Sequence, residues 1–335
     1  MSRGQCFGPG MRPLRIALAL LVALAALVAG CGDDGGSGDA GGGGGSQPQT
    51  LKVGVIPIAD VAPLYLGMDK GFFKAEGLTI EPQLAEGGAA IVPSVISGDY
   101  QIGFSNTTSL IIAASKKLPV QIISQGVLAG TGADDAWDGV IVPKGSDIKE
   151  LGDLEGKTVA VNTLNNVSQV VVNTALKKAG ADYTKVKYVE VPFPDMNAAL
   201  ESGRVDAAFQ VEPGYSGGLA AGSKSISNAY EEMAPNYTVA TYFASKQYIG
   251  ENKDVIDRFK RAMQKSLDYA SAHDSEVRAI VGTYTEIPQA VLDKMNLPVW
   301  KADLNEPTIE QTGAAAKEYG FVEEAPSLDD LILRD

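Results

Sequence analysis

LKVGVIPIADVAPLYLGMDKGFFKAEGLTIEPQ (residues 51–83) reads as strand, helix, strand. The apolar run 51–58 alternates enough to form a strand. Asp60 stands ahead of Pro63, which fits a helix N-cap region followed by a proline in the first turn. Leu64, Tyr65 and Met68 fall at helical spacing. Gly71 and Gly77 can take the left-handed conformation that ends helical turns. A second strand follows over 78–84. In a parallel sheet this is a right-handed βαβ unit.

The unit recurs. KTVAVNTLNNVSQVVVNTALKKAGADYTKVKYVEV (157–191) is again strand, polar turn, helix, glycine, strand. The segments that follow also match: ISGDYQIGFS (96–105) corresponds to ESGRVDAAFQ (201–210), with Ser97, Gly98 and Phe104 each 105 residues before Ser202, Gly203 and Phe209. Val53 precedes Val159 by 106 residues and Gly77 precedes Gly180 by 103. A near-constant offset in the same segment order predicts two similar α/β lobes facing each other. Strands over 139–143 and 238–245 read as the two crossovers between them. Lobe one is therefore expected to span 51–138 plus 243–335, lobe two 139–242, and the tail after Pro326 reads as an exposed end.

Outside the lobes the chain is simpler. Arg12 and Arg15 precede fourteen apolar residues (16–29), fewer than the ~20 a bilayer span needs. Val28-Ala29-Gly30-Cys31 then places small residues before a cysteine, so residues 1–30 read as a signal peptide and Cys31 as the lipidated residue of a membrane-anchored lipoprotein. The Gly/Ser-rich stretch 33–50 cannot build a core and reads as a flexible tether. The only other cysteine is Cys6, within the cleaved segment, which leaves no disulfide or thiol chemistry. A net charge of −13 and the lack of a basic face exclude a nucleic-acid binder.

The search for chemistry returns little. His273 is the only histidine and sits near a helix end. Nucleophile–base arrangements, zinc spacings and phosphate-loop fingerprints are all missing, so neither enzyme chemistry, cofactor nor metal is expected. Asp134, Asp135 and Asp138 lack the calcium-loop pattern and read as a solvated acidic loop.

Binding remains. Ligands of α/β sheets sit beyond the carboxyl ends of the strands, and two facing lobes bring both sets of ends to one cleft. The loops there offer Asp60, Ser105, Asn106, Thr107, Trp137, Asn162, Thr163, Asn165, Phe193, Asp195, Gln210 and Glu212 as candidate ligand-binding residues. Hydroxyls, amides and helix N-termini can hold a carboxylate or sulfonate without a counter-charge, although for Asn162, Thr163 and 105–108 plain helix capping serves equally. Trp137, Phe193 and Tyr215 could stack on a ring. Asp60, Asp195 and Glu212 could accept from an amine or aminopyrimidine.

Taken together, the lipoprotein start, GFFKAEGLTIE (71–81), SGDYQIGFS (97–105), DLEGKTVAV (153–161) and SGRVDAAFQVEP (202–213) resemble the solute-binding lipoproteins of ABC importers. The resemblance is to the nitrate/sulfonate/taurine-type family, which includes binders of thiamine-pyrimidine precursors. It implies a bilobal type II periplasmic-binding-protein-like fold that closes like a hinge on a small organic solute. It also implies a monomer that delivers the solute to a membrane permease and its ATPase. The predicted cleft loops carry no Arg or Lys, unlike an anion-specialised member. A sulfonate- or carboxylate-like solute and an aminopyrimidine are both open on this reading, as are, more remotely, a ligand sensor and a pyrimidine-synthase-like enzyme.

Overall fold

The computed structural model describes residues 48–334. The signal peptide, Cys31 and nearly all of the tether lie outside them. Ten strands form two five-stranded sheets. The first contains β1 (Gln49–Val55), β2 (Leu78–Leu84), β3 (Ile102–Asn106), β4 (Val120–Leu128) and β10 (Thr238–Ser245), in the order β2-β1-β3-β10-β4. The second contains β5 (Asp138–Val142), β6 (Thr158–Val161), β7 (Lys187–Glu190), β8 (Ala207–Val211) and β9 (Lys224–Ser227), in the order β7-β6-β8-β5-β9.

The orders are the same when β6, β7 and β8 are laid on β1, β2 and β3. The first three strands of each sheet are parallel, with β1 between β2 and β3 and β6 between β7 and β8. These are the strands whose sequences repeat, and Gly77 and Gly180 both take positive φ, at 69° and 78°. The fourth strand of each sheet runs antiparallel and is the one next to a crossover: β10 returns to pair with β3 and β4, and β5 arrives to pair with β8 and β9.

That pairing corrects the expected boundaries. β10 lies in the first sheet along its whole length, so the chain leaves the second sheet before Thr238 rather than at 242. Asp138 likewise opens β5 in the second sheet, opposite Val211. The chain passes between the sheets only over 129–137 and 228–237 among the described residues, and these segments pair: Ala129 N–H donates to Tyr237 O and Asn236 N–H to Gly130 O, both at 2.9 Å.

The long helix Lys253–Ala270 closes the first lobe. Val255, Ile256, Phe259, Met263, Leu267 and Ala270 make the apolar stripe that its spacing predicts, and all are buried. Helix Ala62–Asp69 crosses it closely at Gly67, where a Cβ would stand 2.0 Å from Ser266 Oγ. The tail after Pro326 is not the exposed end expected. It forms a short helix, Leu328–Leu331, buries Leu331 and Ile332, and donates Leu333 N–H to Ile122 O at 2.9 Å. An open sheet edge is a template for unwanted pairing, and the tail covers this one.

Candidate functional site

The carboxyl ends of both sets of strands meet in a cleft with two adjoining cavities. The deeper has a volume of about 20 Å³ and is walled by both lobes, with Asp60, Phe104 and Asn106 from the first and Asn162, Ser168 and Phe193 from the second. That is room for roughly one water. The larger, about 360 Å³, is mostly apolar, with Pro57, Leu84, Pro194, Pro213, Tyr284 and Ile287 among its walls. Ile58, Phe193 and Val211 line both.

Asp60 dominates the deep cavity. It lies in a 3-10 turn, Ala59–Val61, between β1 and the first helix, whose N-cap is Val61 rather than Asp60. Its side chain is buried, and Oδ1 has no hydrogen-bond partner. Burial pushes the carboxyl up to about 7 against the pull of its own backbone N–H. Among the described residues no cation acts on it. The ionisable neighbours whose own titration Asp60 affects are phenols: Tyr230, Tyr242 and Tyr284. Trp300 Nε1 donates to the Asp60 backbone carbonyl at 3.2 Å and fixes the turn.

Two helix N-termini flank Asp60, and each is already capped. Asn106 Oδ1 accepts Ser109 N–H at 2.9 Å, and Asn166 Oδ1 accepts Gln169 N–H at 3.4 Å. Asn166 Nδ2 also ties Asn162 Oδ1 at 2.6 Å and Thr163 Oγ1 at 2.8 Å, while Ser168 Oγ donates to Asn162 Oδ1 at 3.0 Å. Asn162 is thus held by two donors while it lines the deep cavity. Phe193 begins helix Phe193–Glu201 and stands between the cavities. Gln210 lines the larger one, and its Nε2 donates to Phe193 O at 3.1 Å.

Other predicted residues lie elsewhere. Thr107 turns to β10, where its hydroxyl donates to Thr238 O at 3.3 Å. Ser105 is buried beneath Gly88, with its hydroxyl on Asn106 O. Trp137 lies in the core of the crossover, its indole N–H on Leu128 O at 3.1 Å and its ring on Tyr230, because an apolar side chain beside the paired segments fills their interior. Asn165 is exposed with φ of 52°, a turn position that asparagine tolerates. Asp195 is exposed in the first turn of its helix, whose N-cap is Pro192. Tyr215 packs against Gly139, its hydroxyl accepting from Asn228.

Glu212 ties the lobes together. Its carbonyl accepts Ala59 N–H at 2.9 Å, and its carboxylate accepts Ser216 Oγ at 2.6 Å and Ser216 N–H at 3.1 Å. Burial raises it to about 7, while the Ser216 donors and, from the first lobe, Asn296 N–H and Arg278 pull it down. Thr163 faces Gly87 across the cleft so closely that a Cβ there would lie 2.8 Å from its methyl. Asp138 is no part of a solvated loop: it is fully buried.

The residues that sequence reasoning passed over are Tyr230, Tyr242, Tyr284 and Ile287. Tyr284 and Ile287 come from a loop more than 220 residues after Ile58, yet Tyr284 OH donates to Ile58 O at 3.1 Å. No local signal marks such a pairing.

A sequence model described as "NMT1/THI5 like" matches residues 58–277. The chain belongs to the NMT1/THI5-like family. Among relatives of this family member is the formylaminopyrimidine-binding protein of Halalkalibacterium halodurans, 25% identical over 66% of this chain and 65% of that protein, so the chain spans just under two thirds of its length. A second is the 4-amino-5-hydroxymethyl-2-methylpyrimidine phosphate synthase of Aspergillus parasiticus, 23% identical over 66% of this chain and 68% of that protein. Among solved structures, the alkanesulfonate-binding protein SsuA of Xanthomonas axonopodis pv. citri superposes with a TM-score of 0.71 at 16% identity, covering 84% of this chain and 96% of the other. The fold of this NMT1/THI5-like protein is thus the two-lobe type II periplasmic-binding-protein fold expected from its sequence. His273 lies away from the cleft, its Nδ1 on Tyr269 O at 2.7 Å and its ring stacked on Tyr269. Among the described residues no helix is long and apolar enough to cross a membrane, and no three His, Cys, Asp or Glu are grouped to hold a metal ion.

Proposed function

We propose that this protein is the extracytoplasmic solute-binding component of an ABC importer, held to the membrane by lipid on Cys31 and acting as a monomer without catalysis. It captures a small organic solute between its lobes and delivers it to a permease. Lobe two moves as a body about 129–137 and 228–237.

The single observation that carries the ligand class is the buried Asp60 carboxyl with an unpartnered oxygen. A sulfonate or carboxylate head at that point would face an acid, and each helix N-terminus beside it already gives one N–H to its capping residue, Asn106 or Asn166. A donor-bearing head of the aminopyrimidine type suits Asp60 better. The deep cavity admits only a group of one amine's size, so the ring lies in the larger cavity against Ile58, Phe193 and Tyr284.

The test is a thermal-shift and calorimetry panel of aminopyrimidines, alkanesulfonates, taurine, nitrate and aromatic carboxylates on the purified chain. A saturating ligand at ~1,000 times its Kd stabilises by about 4 kcal/mol. The expected result is a shift with aminopyrimidines that Asp60→Asn abolishes, with the ligand recovered unchanged by mass spectrometry. A shift with alkanesulfonates alone would reverse the ligand class, and turnover would overturn the non-catalytic reading.

A further inference from the structure

A buried acid and a half-buried one meet where the chain passes between the sheets, and the cleft uses neither. Asp138 opens β5 at the end of the first crossing segment. Glu231 lies in helix Ala229–Met233, within the second. Asp138 Oδ1 accepts Tyr230 N–H at 3.2 Å, and Glu231 Oε1 accepts Gly130 N–H at 2.9 Å. The other oxygens, Asp138 Oδ2 and Glu231 Oε2, are buried with no further partner. The two carboxyls are neighbours, since Asp138 holds the N–H of the residue just before Glu231, and each acts on the titration of the other. Ionised carboxylates only accept, so these two oxygens can satisfy each other only while one of the pair holds a proton.

We infer that Asp138 and Glu231 form a proton-dependent clasp on the crossover, which orders Gly130 and its pairing with Asn236 while protonated and releases them when the proton leaves. The inference is independent of which solute the cleft binds.

The surroundings favour the shared proton. Burial, then the charge of Glu231, raises Asp138 well above the usual carboxylate range, and burial raises Glu231 as well. Around the pair, helix Ala229–Met233 adds Glu232 and Tyr230, and the turn Ala133–Asp135 adds Asp135, whose own donors Thr131 and Gly132 hold it low and charged. Helix Val167–Lys178 packs alongside and sends Lys178 to the Glu232 carbonyl. Lys301 reaches Asn236 Oδ1 in the second segment. β8 presents Val211 opposite Asp138, and on β9 the one charged residue, Lys224, pairs with Val142 at the far end of β5. Above the raised value the proton passes from Asp138 to solvent, leaving two neighbouring like charges with a buried oxygen each, and Glu231 is driven off Gly130. A raised native value means that this stabilisation is complete at low pH and is lost as pH rises through it.

The test is amide hydrogen exchange at Gly130 and Asn236, corrected for intrinsic rates, across pH 5 to 9, with Val159 in β6 as the control. In the wild type, protection at Gly130 should fall about tenfold per pH unit above the pair's value, the slope of a single proton, while Val159 stays level. Asp138→Asn gives Glu231 a permanent donor and should level the Gly130 profile, and Glu231→Gln, whose amide can donate to Asp138, should flatten it too. A level wild-type profile at Gly130, or an unchanged slope in a folded variant, overturns the clasp. If neither variant folds, the wild-type slope at Gly130 against that at Val159 decides.

Discussion

Replacing Asp60 by Asn should make the ligand-free protein more stable and unable to bind an amine-headed solute. The two carboxyl oxygens and the amide are nearly the same size, so the effect is electrostatic. Burial moves the carboxyl from 3.8 to about 7. A rise of about three units is worth roughly 4 kcal/mol of differential interaction between its two forms. The sign follows from the direction. With the folded value raised, the stabilisation is full below 3.8 and disappears as pH climbs through about 7. At pH 8 the wild type keeps a charge in a site without a counter-ion, whereas the Asn variant has none. The variant should therefore gain up to about 4 kcal/mol at pH 8, or roughly 7 °C in Tm for a body of this size, and little at pH 4. Urea unfolding of both proteins at pH 4, 6 and 8 isolates the term, because Glu212, Asp138 and Glu231 titrate in both. A difference that does not change with pH would refute the reasoning about Asp60 and, with it, the basis for a donor-headed ligand.

Gly87→Ala should weaken ligand binding by about tenfold, within the range of mild overpacking, and leave unfolding of the ligand-free protein nearly unchanged. Gly87 has φ of −173°, extended backbone open to any residue, so what is at stake is the contact across the cleft, where a Cβ would lie 2.8 Å from the Thr163 methyl and 3.1 Å from Asn162 Nδ2. Thr163→Ser in the same chain, which removes that methyl and keeps the hydroxyl, should restore most of the affinity, as calorimetry would show; no recovery at all would place the effect elsewhere. Deletion of residues 327–335 should cost about 2–5 kcal/mol, the range for losing well-buried aliphatic side chains, since Leu331 and Ile332 are buried against β4. Light scattering should also show association through the bared edge, and an unchanged monomer of unchanged stability would count against its role as a cover.

Much of the fold was legible in local sequence. Period-2 and period-3.6 patterns mark β1, β2, β6, β7 and the long helix Lys253–Ala270. The recurrence near 105 residues marks β3 and β8 as equivalent, and the sheet orders bear this out. Strand-end loops could be located because chain order and parallel pairing place them, and Asp60, Asn106, Asn162, Phe193 and Gln210 do line the cavities. Other features depend on pairing between distant segments. Whether β10 belongs to one sheet or the other is a matter of partners, not of its own alternation. Trp137 and Asp138 look like loop residues in sequence, yet both are buried by a helix and strands nearly a hundred residues on.

By itself, then, the sequence determined the two repeated βαβ units, the strand ends that face a cleft, and an acid, Asp60, among them. Those are set by periodicity, turn chemistry and chain order, which act over a few residues. Only the tertiary structure decided that Asp60 is buried without a counter-charge, that Tyr284 joins Ile58 in the cavity wall, and that Asp138 meets Glu231 at the crossover. Each of these depends on which distant surfaces exclude water from a group, and the ionisation of a carboxyl follows from that exclusion rather than from its neighbours in the chain.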